Sequence, residues 1–304
     1  MIDETGERGD PRAFPRVDLH SHTTLSDGSL PPRDLVRLAA SVGLEVLAVT
    51  DHDTTEALPE AIDEAARAGL RLIAGMEVSA TVGGKNVHVL AFFPGGRLGS
   101  LAAWQAGRRE GRRERMALIV ERLAGLGMPL DLDAITRGAD PRRSPGRLHV
   151  ARALVEAGHV PSAREAFDRY LGGGKPAYVQ DVVPTSAEAI AMIRDLGGIA
   201  VVAHPSIDDL DADLERLVAE GLEGVEAYHF GHAPEVAAHF HARARALGLL
   251  VTGGSDYHGE PTREPPAPDG GAPPEPDPAP RLGRVALPRD EWERFDEVLR
   301  GRNA

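Results

Sequence analysis

The chain has 304 residues, with 34 Lys and Arg against 47 Asp and Glu, a formal net charge of −13. It carries 12 histidines and no cysteine, which excludes disulfides, thiol nucleophiles and zinc–thiolate sites and leaves His, Asp and Glu to hold any metal. No apolar run approaches the roughly 18 residues needed to span a bilayer, and the polar start MIDETGERGDPRAFPR lacks the apolar stretch of a secretory leader, so a cytoplasmic protein without membrane contact is expected.

In chain order, a strand is predicted at Val17–Leu19, a helix at Pro31–Val42, a strand at Val46–Thr50, a helix at Thr54–Ala68, and strands at Leu70–Ala74 and Asn86–Phe93. Further on, a helix is predicted at Ser186–Leu196 and a strand at Ile199–Ala203. A helix at Leu210–Ala219 and a strand at Gly224–Tyr228 follow, then a helix at Pro234–Leu247 and a strand at Leu249–Thr252. A strand at Arg284–Leu287 and a helix at Arg289–Leu299 complete the series. Pro31-Pro32, Asp53 and Pro184-Thr185-Ser186 are helix-start signals, and Gly43, Gly69, Gly197, Gly221 and Gly248 are helix-stop signals. This alternation predicts an α/β fold with a largely parallel sheet.

Two stretches break the rhythm. Residues 98–182 show helical patterns at Trp104–Gly125, Arg147–Glu156 and Ser162–Tyr170 before a strand-like run at Tyr178–Val183. They read as a helical insertion that divides the α/β body into residues 16–97 and 183–304. The second stretch, 259–281, has 9 prolines among residues 261–280 and predicts a disordered or extended loop.

The chemistry-bearing residues fall just past the predicted strands. His20-Ser21-His22 and Ser26-Asp27-Gly28 follow the first strand, and Asp51-His52-Asp53 follows the second. Glu77 follows the third, His88 lies inside the fourth, His204 follows Ile199–Ala203, and Ser255-Asp256-Tyr257-His258 follows Leu249–Thr252. In a parallel barrel those ends converge on one rim, where active sites are built. His20 and His22, two apart, point to the same side of a strand and can share an ion, and Asp256 and His258 do likewise. Two ions close together need a bridging carboxylate, for which Glu77 is the natural candidate. Imidazoles with carboxylates suit zinc, manganese or iron.

Taken singly, several of these residues have plainer readings. Asp27 reads as a turn cap, and Asp53 as the N-cap of the Thr54 helix. Asp51 reads as an acceptor orienting a histidine or satisfying backbone. His159, His239 and His241 read as solvated residues on helices, and His88 alone is either strand filler or ligand. The ordered placement of the whole set is what points to metal chemistry.

The segments DLHSHTTLSDG (18–28), AVTDHDT (48–54), GMEVS (75–79), NVHVLAFF (86–93), VVAHP (201–205) and GGSDYHG (253–259) together resemble the PHP family, the polymerase-and-histidinol-phosphatase metallohydrolases. The resemblance implies a distorted (β/α)7 PHP barrel with a mostly helical insertion, and three divalent ions, manganese first with zinc or iron as alternatives. One ion would be held by His20, His22, Glu77 and Asp256, a second by Glu77, His88 and His204, and a third by Asp27, His52 and His258. Some relatives carry His where this chain has Asp27.

SPGRLHVARALVEAG (144–158) and LGGGKPAYV (171–179) resemble the nucleoside 3′,5′-bisphosphate phosphatases and related 5′→3′ RNA exonucleases, with Leu148 where relatives often have Pro. That branch implies substrate contacts at Arg147, His149, Lys175 and Tyr178. His232 would contact phosphate or donate the proton to the leaving group, with Glu77, His204 and Asp256 in the catalytic centre. The implied partner is a small anionic nucleotide or a short RNA. The implied activity is loss of the 3′-phosphate from a nucleoside 3′,5′-bisphosphate. The alternatives are 5′→3′ RNA exonuclease, histidinol-phosphate phosphatase or a non-catalytic metal-binding regulatory domain. The charge is uneven: residues 105–180 hold 14 basic and 9 acidic residues, so the insertion is a basic lid over an acidic body.

Overall fold

The computed structural model describes residues 16–96, 101–137, 139–259 and 281–302. In it, seven strands form one sheet in sequential order: β1 (Val17–Asp18), β2 (Val46–Val49), β3 (Arg71–Val82), β4 (Lys85–Phe93), β5 (Ile199–Val202), β6 (Gly224–His229) and β7 (Leu250–Gly254). The sheet curls until its edges meet. Leu19 N donates to the Gly253 carbonyl at 3.1 Å, and Ser21 bridges Tyr257 in parallel. The result is a nearly closed α/β barrel.

The helices are α1 (Pro32–Ser41), α2 (Leu58–Ala68), α3 (Ala102–Gly125), α4 (Leu132–Thr136), α5 (Arg147–Glu156), α6 (Ala163–Ala166), α7 (Ser186–Asp195), α8 (Leu214–Ala219), α9 (Pro234–Ala246) and α10 (Arg289–Gly301). Strand periodicity of two sorts the core. On β2, Val46 and Ala48 face the barrel interior with Leu90, Phe92 and Val201, while Leu47 and Val49 pack outward against α1, α2 and the other flanking helices. The interior is plugged by α10, whose Trp292, Phe295 and Leu299 join the inward-facing cluster. The Phe92 and Phe295 rings meet edge-on, 5.2 Å between centroids. Arg294 bonds the Gly248 and Leu249 carbonyls, and Arg302 the Gly198 carbonyl, so α10 sits beneath the starts of β5 and β7. The opposite rim is left open.

Helices α3 to α6 enclose a core of their own, including Met116, Ile119, Leu123, Val150 and Leu154. This segment is tethered to the barrel by buried arginines. Asp53 Oδ2 accepts from Arg108 Nη2 at 3.0 Å and from Arg112 Nε at 2.7 Å.

Several expectations are corrected. The sheet is not largely parallel in its middle, because β3–β4, joined by a tight turn at Gly83-Gly84, and β4–β5 are antiparallel. β3 runs on to Val82 rather than ending at Ala74. Arg284–Leu287 and Tyr178–Val183 have no strand pairing; the chain near the latter only touches the sheet at the isolated Thr81–Thr185 bridge. α2 begins at Leu58, so Asp53 caps no helix. It takes a left-handed conformation (φ 52°), and its Oδ1 accepts from Ser79 N at 2.8 Å. His241 is half-buried against Glu291 rather than solvated. The proline-rich run at 260–280 lies outside the described residues.

Candidate metal centre

Every parallel strand ends at the open rim, and β4 reaches it by running the other way. His88 pairs with Ser79 near the start of β4, which explains how a residue inside a strand joins residues that follow strands. Close backbone approach fixes the loops. A Cβ on Gly254 would lie 2.3 Å from His20 Cβ, and one on Gly28 would lie 2.3 Å from the His22 carbonyl, so the GGSD and SDG motifs need glycine there. Asp51 ties down the His22–Asp27 loop by accepting from Thr23 N and Thr23 Oγ1 at 2.7 Å and from Ser26 Oγ at 2.6 Å. His204 (φ 25°) and Asp256 (φ 50°) hold strained left-handed backbones, the kind of cost that persists where surrounding structure imposes it.

Three groups of donor atoms result, each within 4.8 Å: His20, His22, Glu77 and Asp256; Glu77, His88 and His204; and Asp27, His52 and His258 with His22. In the first, His20 Nε2 and His22 Nε2 are each 3.3 Å from Glu77 Oε2, 3.3 and 3.1 Å from Asp256 Oδ1, and 3.1 Å from each other. In the second, Glu77 Oε1 is 3.1 Å from His204 Nε2 and 3.4 Å from His88 Nδ1. In the third, Asp27 Oδ1 is 3.0 Å from His258 Nε2, and Asp27 Oδ2 is 3.8 Å from His52 Nε2.

These donors fit divalent ions. Four ligands at bond lengths of about 2.0–2.1 Å stand about 3.3–3.4 Å apart along a tetrahedron's edges, close to the spacing of the first group. Glu77 Oε2 is buried within 3.3 Å of nitrogens from His20, His22 and His52, yet makes no hydrogen bond. Atoms converging on a point without bonding one another are what a cation site requires. The second group supplies only three donors and so leaves room for a further ligand.

Burial disfavours charge on all of these groups. Against burial, His52, His20 and His88 hold the Glu77 carboxyl well below the usual range. His258 and His52 do the same for Asp27, and His20 and His258 for Asp256. Burial likewise opposes charge on His22, but Asp256 and Glu77 push it up to about 10. For His52 burial wins, pushing it down to about 3. Three ionised carboxylates in a buried space call for cations.

β6 supplies a residue that the sequence does not single out. Glu226, fully buried, accepts from His20 Nδ1 at 3.0 Å and from His204 N at 2.9 Å, which fixes the His20 tautomer so that Nε2 faces the donor group. A single Glu inside an apolar strand carries no spacing signal. His229 accepts from Gly231 N at its Nδ1 (3.0 Å), so its neutral ring carries the proton on Nε2, which points at Asp256 Oδ2 3.5 Å away. His232 stands behind it, its ring 5.2 Å from that of His229 and its Nδ1 bonded to the Ala227 carbonyl.

A cleft of about 250 Å³ opens between this rim and the helical segment, lined by Asp27, His52, His88 and His258 on one side and by Arg112, Arg115 and Arg147 on the other. Arg147 meets no carboxylate among the described residues. It bonds the Leu171 carbonyl at 3.2 Å and lies over the Phe167 and Tyr178 rings. Burial pushes Arg115 down to about 10, with Asp181 opposing and the Arg147 and Arg112 charges adding to the shift. Arg108 and Arg112 are buried. Tyr178 stands behind Arg147 with its hydroxyl on Gln180, Lys175 is exposed outside the cleft lining, and His149 turns to a different cavity beside Arg143 and Arg152.

A nearly closed seven-stranded barrel with three His/carboxylate groups on one rim and arginines facing them defines a metal-dependent phosphoester hydrolase. The PHP domain model matches residues 18–126. The 3′,5′-nucleoside bisphosphate phosphatase of Chromobacterium violaceum is 36% identical over 247 residues, covering 80% of this chain and 87% of that protein. The 5′-3′ exoribonuclease Rnm of Escherichia coli is 38% identical over 253 residues, covering 79% and 84%. A Bifidobacterium adolescentis structure assigned to the metal-dependent phosphoesterases superposes with a TM-score of 0.80 at 32% identity, over 97% of this chain and 98% of that one. The chain belongs to the PHP family, and its chemistry is hydrolysis of phosphoester bonds. Among the described residues, no helix is long and apolar enough to cross a membrane.

Proposed function

We propose that the protein removes the 3′-phosphate of nucleoside 3′,5′-bisphosphates, giving a 5′-mononucleotide and phosphate. The observation that carries this reading is the two-ended cleft. Candidate ion ligands line one wall, and Arg147 lines the other, beside Arg115 paired with Asp181 at 3.1 Å. A monophosphate would leave one charged wall unmatched, whereas a bisphosphate places the scissile group on the first wall and its second phosphate against the guanidiniums, which suit bidentate phosphate binding.

His20, His22, Glu77 and Asp256 would hold one ion, Glu77, His88 and His204 a second, and Asp27, His52 and His258 a third, with manganese the first choice and zinc or iron the alternatives. Bound ions of this kind supply a nucleophile from water at neutral pH and neutralise phosphoryl charge. Glu77 shares its two oxygens between two groups and so fixes their separation. Arg147, which meets no carboxylate among the described residues, would bind phosphate and orient the substrate for in-line attack. His229 is the β6 imidazole that faces the centre, with its Nε2–H available to an oxygen beside Asp256. His232 stands one ring further away and acts through it.

A second reading, 5′→3′ cleavage of short RNA, is supported by the Rnm relative at similar identity. It uses the same two walls, with a 5′-phosphate on the arginines and a diester at the ions. Histidinol phosphate fits less well, because its amine would face the arginines. The test is parallel incubation of the manganese-loaded protein with adenosine 3′,5′-bisphosphate, histidinol phosphate and a 5′-phosphorylated RNA oligomer. The bisphosphate is expected to have the highest kcat/KM. A higher value for histidinol phosphate refutes the proposal, and one for the oligomer selects the second reading.

A further inference from the structure

We infer that Arg152, on helix α5, is a positioning residue through which the helical segment completes the third ion group. Its guanidinium donates through Nη1 to the Asp27 carbonyl at 2.9 Å and through Nη2 to the His258 carbonyl at 3.2 Å. Those two residues are more than two hundred positions apart in sequence, on the loops after β1 and β7. Their side chains meet only at the third group, where Asp27 Oδ1 and His258 Nε2 are 3.0 Å apart. One side chain from outside the barrel therefore pins the backbone on both sides of this contact. The inference rests on reading Asp27, His52 and His258 as ligands of one ion.

Three observations favour this role over an ordinary surface arginine. Arg152 is half-buried, and among the described residues no carboxylate lies within ion-pair distance of it, so its charge is directed at the two carbonyls rather than at a salt bridge. The same segment makes further contacts to the Asp27 loop: Ser144 N donates to the Leu25 carbonyl at 2.7 Å, and a Cβ on Gly146 would lie 3.4 Å from Asp27 Oδ2. The segment also holds Asp53, the neighbour of His52, through Arg108 and Arg112.

The other two groups are supported from within the barrel. Glu226 holds His20 and the His204 backbone, and Asp18 accepts from Ser255 N at 2.9 Å, next to Asp256. Asp51 ties down the loop before Asp27 from within the barrel as well, but only the third group also takes backbone bonds from the segment that carries the cleft arginines, through Arg152. Loss of supporting bonds around a ligand set typically weakens metal affinity by about 10–100-fold.

The test is R152M, which keeps the apolar stem and removes the donors, with R152Q as the substitute if R152M does not fold. Metal-stripped wild type and variant are titrated with Mn²⁺ by calorimetry, ions per chain are counted by elemental analysis after desalting, and a thermal melt checks folding. Wild type is expected to hold three ions. The folded variant is expected to keep two with unchanged affinity and to bind the third about 10–100-fold more weakly. Three ions at wild-type affinity in the variant would overturn the inference, as would parallel weakening of all three, which marks general structural support. A wild type that holds fewer than three ions overturns the ion assignment itself, and the inference with it.

Discussion

Replacing Glu226 by glutamine tests how the barrel prepares its first ion group. The carboxylate accepts from His20 Nδ1, 3.0 Å from Oε1, and from His204 N, 2.9 Å from Oε2, and it is fully buried. Glutamine has the same shape but only one acceptor oxygen. Whichever donor that oxygen takes, the amide NH2 is turned toward the other donor, so one bond is lost and two N–H groups face each other. A hydrogen bond to a charged group is worth about 1.5–3 kcal/mol. At about 1.4 kcal/mol per factor of ten, that corresponds to roughly 10–100-fold in affinity, the range typical for partners that hold a metal-bound imidazole. Titrating metal-stripped E226Q with Mn²⁺ should show at least one binding class weakened by that factor, with kcat falling alongside. Affinity within twofold of wild type would refute the claim that Glu226 sets the His20 tautomer.

Three further outcomes follow from the geometry. R147M should raise KM for a 3′,5′-bisphosphate by roughly 10-fold or more while leaving hydrolysis of a simple aryl monophosphate nearly unchanged, because a lost charged hydrogen bond costs about 1.5–3 kcal/mol only where a second phosphate makes it; equal losses on both substrates would count against the two-walled cleft. F295A should cost about 3–5 kcal/mol in chemical denaturation, since the ring is fully buried in the barrel plug, yet leave ions per chain unchanged; a change in metal content would show that the plug and the rim are not independent. The metal-free protein should lose stability as pH rises from 6.5 toward 10, because the His22 imidazole is held up to about 10 in the fold and its contribution is lost as it deprotonates. His52, held down to about 3, acts in reverse and costs stability as pH falls below 6.5, so metal-free thermal midpoints should peak near the ordinary imidazole value; a midpoint that keeps rising to pH 10 would contradict this account.

The rim was legible because strand ends and histidines coincide in the sequence. His20, His22, His52, His204, Asp256 and His258 each follow an apolar run, and the structure brings all six together. His88 was ambiguous because nothing local shows that β4 runs antiparallel; only the pairing of Ser79 with His88 places it at the rim. The apolar run at Leu70–Ala74 marks only the first part of β3, whose pleat continues to Val82 with Glu77 inside it. The supporting residues were not legible. Glu226 sits alone in an apolar strand, Arg112 is one of several arginines on α3, Arg152 carries no motif, and the partners of all three lie far away in sequence. Arg284–Leu287 has strand composition, but the sheet closes through β7 and β1, leaving no edge for it to pair with.

The most direct test of the account is Glu77→Gln, because one buried carboxylate faces both the first and the second donor groups. Metal content and phosphate release from adenosine 3′,5′-bisphosphate should be measured on the same preparations of wild type and variant. The account predicts that the wild type loads divalent ions and turns over, and that the variant, still folded by its thermal melt, loses both together. Phosphate release at the wild-type rate from a folded E77Q would contradict it.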